Sequence, residues 1–186
     1  PGDVNIYCDA KVFTQALIDE AKRREIKPFG WWLDKTQEWL EKYDTVRPEY
    51  YETEGVVHPY VFIRELSEQL GPDDVIIADC GGNVVVTYHA FKTKTGQRLI
   101  SSNGNSPMGY SFAGAIGACF ANVKGRVICI IGDGGTNMNI QEFQTLQNYN
   151  LPIKTFIMNN HVYGITKAYQ ETDDKGIGLL DHPIGK

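Results

Sequence analysis

Apolar residues along this chain recur at two spacings, one helical and one extended. Over residues 11–26, Phe13, Ala16, Leu17 and Ala21 share one face of a predicted helix. A short strand pattern in Pro1-Gly2-Asp3-Val4-Asn5-Ile6 precedes it, so the start reads as the last βα unit of a domain whose earlier part lies outside the sequence. Residues 31–43 repeat the helical spacing at Trp32, Thr36, Trp39, Leu40 and Tyr43. A stripe so rich in aromatics more often anchors one domain on another than binds a ligand. From Asp44 to His58 the chain turns polar, with Arg47-Pro48 and Glu54-Gly55, as a linker does. The expected units are therefore 1–46, the tail of a central domain with a Trp-rich helix; 47–58, a linker; and 59–186, a domain incomplete at its C-terminus.

Beyond the linker, Pro59 suits the first turn of a helix reaching Leu70, and Gly71-Pro72-Asp73 stops it. Strand patterns at 75–78, 98–101, 127–131 and 153–158 then alternate with helical patterns near 84–91, 109–121 and 139–149. Such alternation predicts an α/β fold, a parallel sheet flanked by helices on both faces. Ligands of these sheets sit at the carboxyl ends of the strands. Three loops expected at those ends are rich in Gly, Asn and Asp. There is no internal repeat.

Composition narrows the chemistry. With 186 residues, 42% of them hydrophobic, the chain suffices for one good α/β core. The net charge of −5, with Lys and Arg scattered, gives no footprint for nucleic acid or an anionic membrane. A phosphate ligand would have to be held locally, by backbone dipoles or a metal. Cys8, Cys80, Cys119 and Cys129 form no C-x-x-C, and Cys119 and Cys129 sit in apolar stretches typical of buried free thiols. A reducing cytoplasm is the expected location. The longest aliphatic run, residues 127–131, is far too short for a membrane span, and no signal peptide opens the sequence.

Two strand ends carry the candidate chemistry. Gly132-Asp133-Gly134-Gly135-Thr136-Asn137 follows the strand pattern at 127–131, and Asn159-Asn160-His161-Val162-Tyr163-Gly164 follows that at 153–158. On adjacent parallel strands these present an Asp and an Asn side by side. Carboxylate and carboxamide oxygens are hard ligands suited to Mg²⁺, which takes further ligands from a diphosphate. Glycines beside the Asp let backbone N–H groups close on phosphate oxygens. Either string alone is equally well a tight turn; the pair is more specific.

Gly132-Asp133-Gly134 followed after 27 positions by Asn160 resembles the thiamine diphosphate (ThDP) signature of the pyruvate decarboxylase and acetolactate synthase superfamily. Met138-Asn139-Ile140-Gln141-Glu142-Phe143 and Asn150-Leu151-Pro152 resemble its acetolactate synthase branch. The resemblance is strong over about 55–170 and weak over 1–46. It implies that Asp133 and Asn160 supply side-chain oxygens to Mg²⁺ and Val162 a backbone carbonyl. It implies that Gly82 and Asn83, in the loop Gly81-Gly82-Asn83, touch the diphosphate with Gly132, Gly134 and Gly135, and that the Ile165 N–H reaches it as well. That loop is equally well a plain strand-to-helix turn. In Ser106-Pro107-Met108-Gly109, the resemblance makes Met108 the wedge beneath a bent cofactor, its N–H on the pyrimidine, with the Ser106 carbonyl accepting from the amino group. A Met opening a helix is otherwise more often core filler.

Departures accompany the matches. Gly135 stands where relatives commonly carry a Ser on the diphosphate, which leaves that contact to backbone or to Thr136. Tyr169 stands where acetolactate synthases carry a Trp that selects the second oxoacid. His58, His89, His161 and His182 lack metal-site spacing, and His161 reads as a solvent-facing loop residue. Glu142 reads as a helix or interface carboxylate, Ser102 and Ser111 have no triad pattern, and Asp173-Asp174 reads as a solvated loop.

The resemblance implies a ThDP- and Mg²⁺-dependent 2-oxoacid decarboxylase or carboligase, a lyase or transferase working as a homodimer or homotetramer. The Glu that activates the cofactor is expected on a pyrimidine-binding domain, of the same or a neighbouring subunit, that this sequence lacks, so the isolated chain is expected to be inactive. Alternatives are a small subunit of a split decarboxylase similar to sulfopyruvate or phosphonopyruvate decarboxylase, a non-catalytic phosphate-binding module, and a degenerate regulatory homologue.

Overall fold

The computed structural model describes residues 2–24, 26, 29–121 and 123–172, which divide into two compact units meeting between Asp44 and Thr45. In the first unit, helix α1 (Ala10–Arg23) begins at Asp9, whose carboxylate accepts from the Lys11 N–H at 2.9 Å. Its basic last turn, Lys22 and Arg23, complements the helix dipole, and α1 ends three residues before the apolar pattern predicts. Helix α2 (Gly30–Lys42) carries the tryptophan stripe, with Trp32 packed edge-on against Trp39 at 5.6 Å. Neither helix buries a residue. The strand expected at Val4-Asn5-Ile6 does not form. A strand needs a hydrogen-bonded neighbour, and among the described residues none pairs with this segment.

The second unit opens on Val46, which is buried, and a 3-10 turn over Pro48–Glu52 whose Tyr50 stacks on His58 at 3.9 Å. The segment read as a linker thus packs onto this unit's core. Helix α3 (Pro59–Gln69) follows, with Pro59 in its first turn. Then come β1 (Val75–Ala78), α4 (Gly81–Ala90), β2 (Arg98–Ile100), α5 (Tyr110–Phe120), β3 (Val127–Gly132), α6 (Asp133–Met138), α7 (Glu142–Asn148), β4 (Ile153–Met158) and α8 (Gly164–Thr172). The expected fold class is the observed one. Where a helix was expected over 139–149, residues 139–141 form a turn and α7 is shorter.

All four strands are parallel, in the order β2-β1-β3-β4. Their side chains alternate between two cores. Ile76, Ile128 and Ile130 face Ile63 of α3 and Val86 and Ala90 of α4; Val75, Ile77, Val127, Cys129 and Ile131 face Phe112 and Ala115 of α5. Burial on both faces is why β1 and β3 read as unbroken apolar runs. Side chains such as Phe112 and Ile128, essentially inaccessible, each contribute about 1.5–3 kcal/mol.

From β1 the chain runs outward to β2 and returns across β1 to β3, so a topological switch point lies between β1 and β3. The opposite, amino ends of these strands are tied by Asp74. Its carboxylate accepts from the Arg126 backbone N–H at 2.7 Å, the Arg126 guanidinium at 2.7 Å and the Gly71 N–H at 2.7 Å.

Candidate active site

Because the strands are parallel, their carboxyl ends lie along one edge of the sheet. Gly132 pairs with Met158 in the β3–β4 register, so Asp133 and the Asn159-Asn160 loop leave neighbouring strands at the same level. Asp133 opens α6, a helical turn where the sequence suggested a loop. Among the described residues, the Asp133 carboxylate has no hydrogen-bond or ion-pair partner. In the facing loop, Asn160 Oδ1 accepts from the Val162 N–H at 3.2 Å, and Asn159 Oδ1 accepts from the His161 N–H at 3.0 Å. His161, at φ +59°, is exposed. These two side-chain bonds fold the loop back so that Asn160 and Val162 sit together.

At the switch point, Asn83 lies in the first turn of α4. It is buried, and its Oδ1 has no partner. The other end of its amide, Nδ2, lies 3.3 Å from where a Cβ on Gly132 would stand. A buried amide oxygen left unpaired costs about 1–3 kcal/mol, a cost that a polar ligand donating to it would relieve. Gly82, beside it, is exposed.

Three loops converge on Gly134. A Cβ there would meet the Tyr163 ring and would stand 2.8 Å from Met108 Cε. Met108, half-buried, therefore lies over the α6 turn, next to the loop that follows β4. Ser106 is held at φ +38°, a region that costs a non-glycine residue energy and clusters at functional sites. Ser106 and Ile165, the latter in the first turn of α8, are exposed. Gly135 is buried, and a Cβ there would collide with the Asp79 carboxylate. Thr136, the alternative side-chain donor toward a diphosphate, gives its hydroxyl to the Gly132 carbonyl at 2.9 Å. Backbone donors remain.

The residues present fit a bound ThDP and divalent ion in three respects. The buried Asn83 oxygen has no partner, Gly134 and Gly135 carry no side chain where the Met108 and Tyr163 loops close on the turn, and the unpaired Asp133 leaves β3 at the level where the Asn160 loop leaves β4. No group of three or more His, Cys, Asp or Glu able to hold a metal exists among the described residues. An ion here would rest on one carboxylate and neutral oxygens, a donor set that favours Mg²⁺ over zinc or copper. At Cys80, also at the switch point, burial, then the neighbouring Asp79 charge, push the thiol up to about 11, away from the thiolate form. Burial likewise pushes Cys129 up to about 11. Cys119, expected to be buried, is half-buried. Glu142 accepts from the Thr145 hydroxyl at 2.7 Å, as a helix-surface carboxylate does. His182 and Asp173-Asp174 lie outside the described residues.

Sequence reasoning passed over Asp79 and the side-chain role of Asn139. Asp79 is fully buried at the end of β1, bonded to two backbone N–H groups, those of Gly109 and Ser111, where α5 begins. A lone acid between an apolar strand and Gly-Gly was the only trace of it in the sequence.

Residues 79–178, more than half of the chain, match the family described as thiamine pyrophosphate enzyme, C-terminal TPP binding domain. Thiamine pyrophosphate and ThDP are one compound. The chain belongs to that family. It is 33% identical over 174 residues to the probable acetolactate synthase large subunit of Methanocaldococcus jannaschii, covering 90% of this chain and 29% of that protein. It is 34% identical over 170 residues to the acetolactate synthase large subunit of Cyanidium caldarium, covering 89% and 28%. It is 30% identical over 171 residues to that of Lactococcus lactis subsp. lactis, covering 91% and 29%. The chain thus spans less than a third of the length of these relatives. Among the described residues no helix is long and apolar enough to cross a membrane.

Proposed function

We propose that this chain is the cofactor-binding part of a ThDP- and Mg²⁺-dependent 2-oxoacid decarboxylase or carboligase similar to acetolactate synthase, with residues 1–46 as the tail of its central domain. The observation that carries the reading is the β3–β4 register, which brings Asp133 and the Asn160 loop out at one level, with the Asn83 amide nitrogen against Gly132. The acetolactate synthase relatives support the branch.

In this reading Asp133, Asn160 and the Val162 carbonyl hold the ion. Backbone donors of Gly82, Gly132, Gly134, Gly135 and Ile165, together with Asn83, hold the diphosphate. Met108 supports the cofactor from below, its N–H and the Ser106 carbonyl meeting the pyrimidine. When bound, ThDP supplies the electron sink that lets a 2-oxoacid lose carbon dioxide. The protein's own work is to neutralise the diphosphate, exclude water around Met108 and Tyr163, and keep the ring oriented toward a carboxylate. That activating Glu belongs to a pyrimidine-binding domain of the same or a neighbouring subunit, in a cytoplasmic homodimer or homotetramer, and the isolated chain is inactive.

The test is a thermal-shift titration of the full-length protein. ThDP with Mg²⁺ is expected to raise the melting temperature, and ThDP with EDTA, ATP or NAD to leave it unchanged. A shift with ATP or NAD, or none with ThDP and Mg²⁺, contradicts the reading.

A further inference from the structure

Gly109 directly follows Met108 and stands at the N-cap of α5, at φ +88°. Both polar groups of this buried residue are held by side chains from elsewhere in the fold, one at the end of β1 and one at the end of α6. Its N–H donates to Asp79 Oδ2 at 3.1 Å, and its carbonyl accepts from Asn139 Nδ2 at 2.9 Å. The second Asp79 oxygen accepts from the Ser111 N–H at 2.9 Å, in the first turn of α5. Asp79 is 1% exposed. Burying a carboxylate is costly unless its hydrogen bonds are made, and charge beside the opening turn of a helix is favourable. The approach of Asn139 depends on the missing side chain: a Cβ on Gly109 would stand 2.6 Å from Asn139 Nδ2 and 3.2 Å from the Gly135 carbonyl.

The loop so held is strained, with Asn103 at φ +47° and Ser106 at φ +38°. Strained residues persist only where their surroundings over-determine them. No role assigned above to a cofactor contact uses Asp79 or Asn139. We propose that Asp79 and Asn139 are positioning residues: by clamping Gly109 from both sides, they fix the seat of Met108 and the direction of the Ser106 carbonyl before any cofactor arrives. This inference rests on the ThDP reading given above.

The test compares the full-length wild type with Asp79→Asn, Asn139→Ala and the double variant. Two quantities are measured: the Kd for ThDP at saturating Mg²⁺, and the rate at which the C2 proton of bound ThDP exchanges into D₂O. Each single variant is expected to raise Kd about tenfold, as loss of a charge-assisted or buried hydrogen bond does, and to slow exchange. Asn139→Ala, losing one bond from a half-buried side chain, is expected to keep the melting temperature of the cofactor-free protein within a few degrees of wild type. The double variant is expected to be less than multiplicative, because both side chains act on one residue. If Asp79→Asn does not fold, Asn139→Ala alone decides by the same criteria. Wild-type Kd and exchange rate in Asn139→Ala overturn the inference while leaving the ThDP reading standing. Failure of the wild type itself to bind ThDP overturns that reading, and the inference with it.

Discussion

Met108 and Gly134 come from different strand ends and meet so closely that the Met108 methyl lies 2.8 Å from where a Cβ on Gly134 would stand. The Tyr163 ring closes on the same position from the β4 side. Residue 134 must therefore lack a side chain for the three loops to converge. Gly134→Ala is expected to destabilise the protein by about 1–3 kcal/mol through forced displacement of packed groups. On the proposed function it is also expected to abolish detectable ThDP binding, since the Met108 loop and the Gly134 turn move apart. Denaturant unfolding and calorimetric titration check the two effects separately. Wild-type affinity in this variant would show that the turn tolerates the methyl.

Asn83 gives a prediction of opposite sign for stability and binding. Its Oδ1 is buried without a partner, so the cofactor-free protein bears an unsatisfied group. Asn83→Ala removes that burden. The variant is expected to unfold within about 1 kcal/mol of wild type, or at higher denaturant, while its ThDP affinity falls. A loss of stability of several kcal/mol with unchanged affinity would make Asn83 a structural residue.

At the amino ends of the strands, Asp74 supplies a pH-dependent part of the stability. Burial raises its pKa, but the Arg126 side chain, the Arg126 N–H and the Gly71 N–H together outweigh burial and lower it below the ordinary carboxylate value of 3.8. A group whose pKa is depressed on folding stabilises fully above its unfolded pKa and loses that contribution as pH falls through the folded value. Asp74→Asn is therefore expected to cost about 1.5–3 kcal/mol at pH 7, with the deficit narrowing only below about pH 4. Unfolding of both proteins across pH 3 to 7 checks this. A deficit that grows on acidification would contradict it.

The sheet was legible because β1 and β3 are covered on both faces and leave apolar runs too short for anything but buried strands. The Asp133 loop was legible because it follows such a run directly, and the Asn160 loop because it follows the mixed but β-rich strand pattern of β4. Other features depend on contacts that no local pattern encodes. The Val4-Asn5-Ile6 segment alternates like a strand, yet pairing requires a neighbour. Asp133 to Met138 reads as a loop because Gly134 and Gly135 have poor helix propensity; the Thr136 hydroxyl on Gly132 O accompanies the turn that forms. Asp79 bonds to a residue 30 positions away, a link that only folding creates.

The most direct measurement is a crystal structure of the full-length protein with ThDP, in which Mn²⁺ replaces Mg²⁺ and is located by its anomalous scattering. One ion is expected at about 2.1–2.3 Å from an Asp133 carboxylate oxygen, the Asn160 side-chain oxygen and the Val162 carbonyl, as hard divalent ions require. An ion bound with the cofactor but with Asp133 or Asn160 outside its coordination shell would contradict the account.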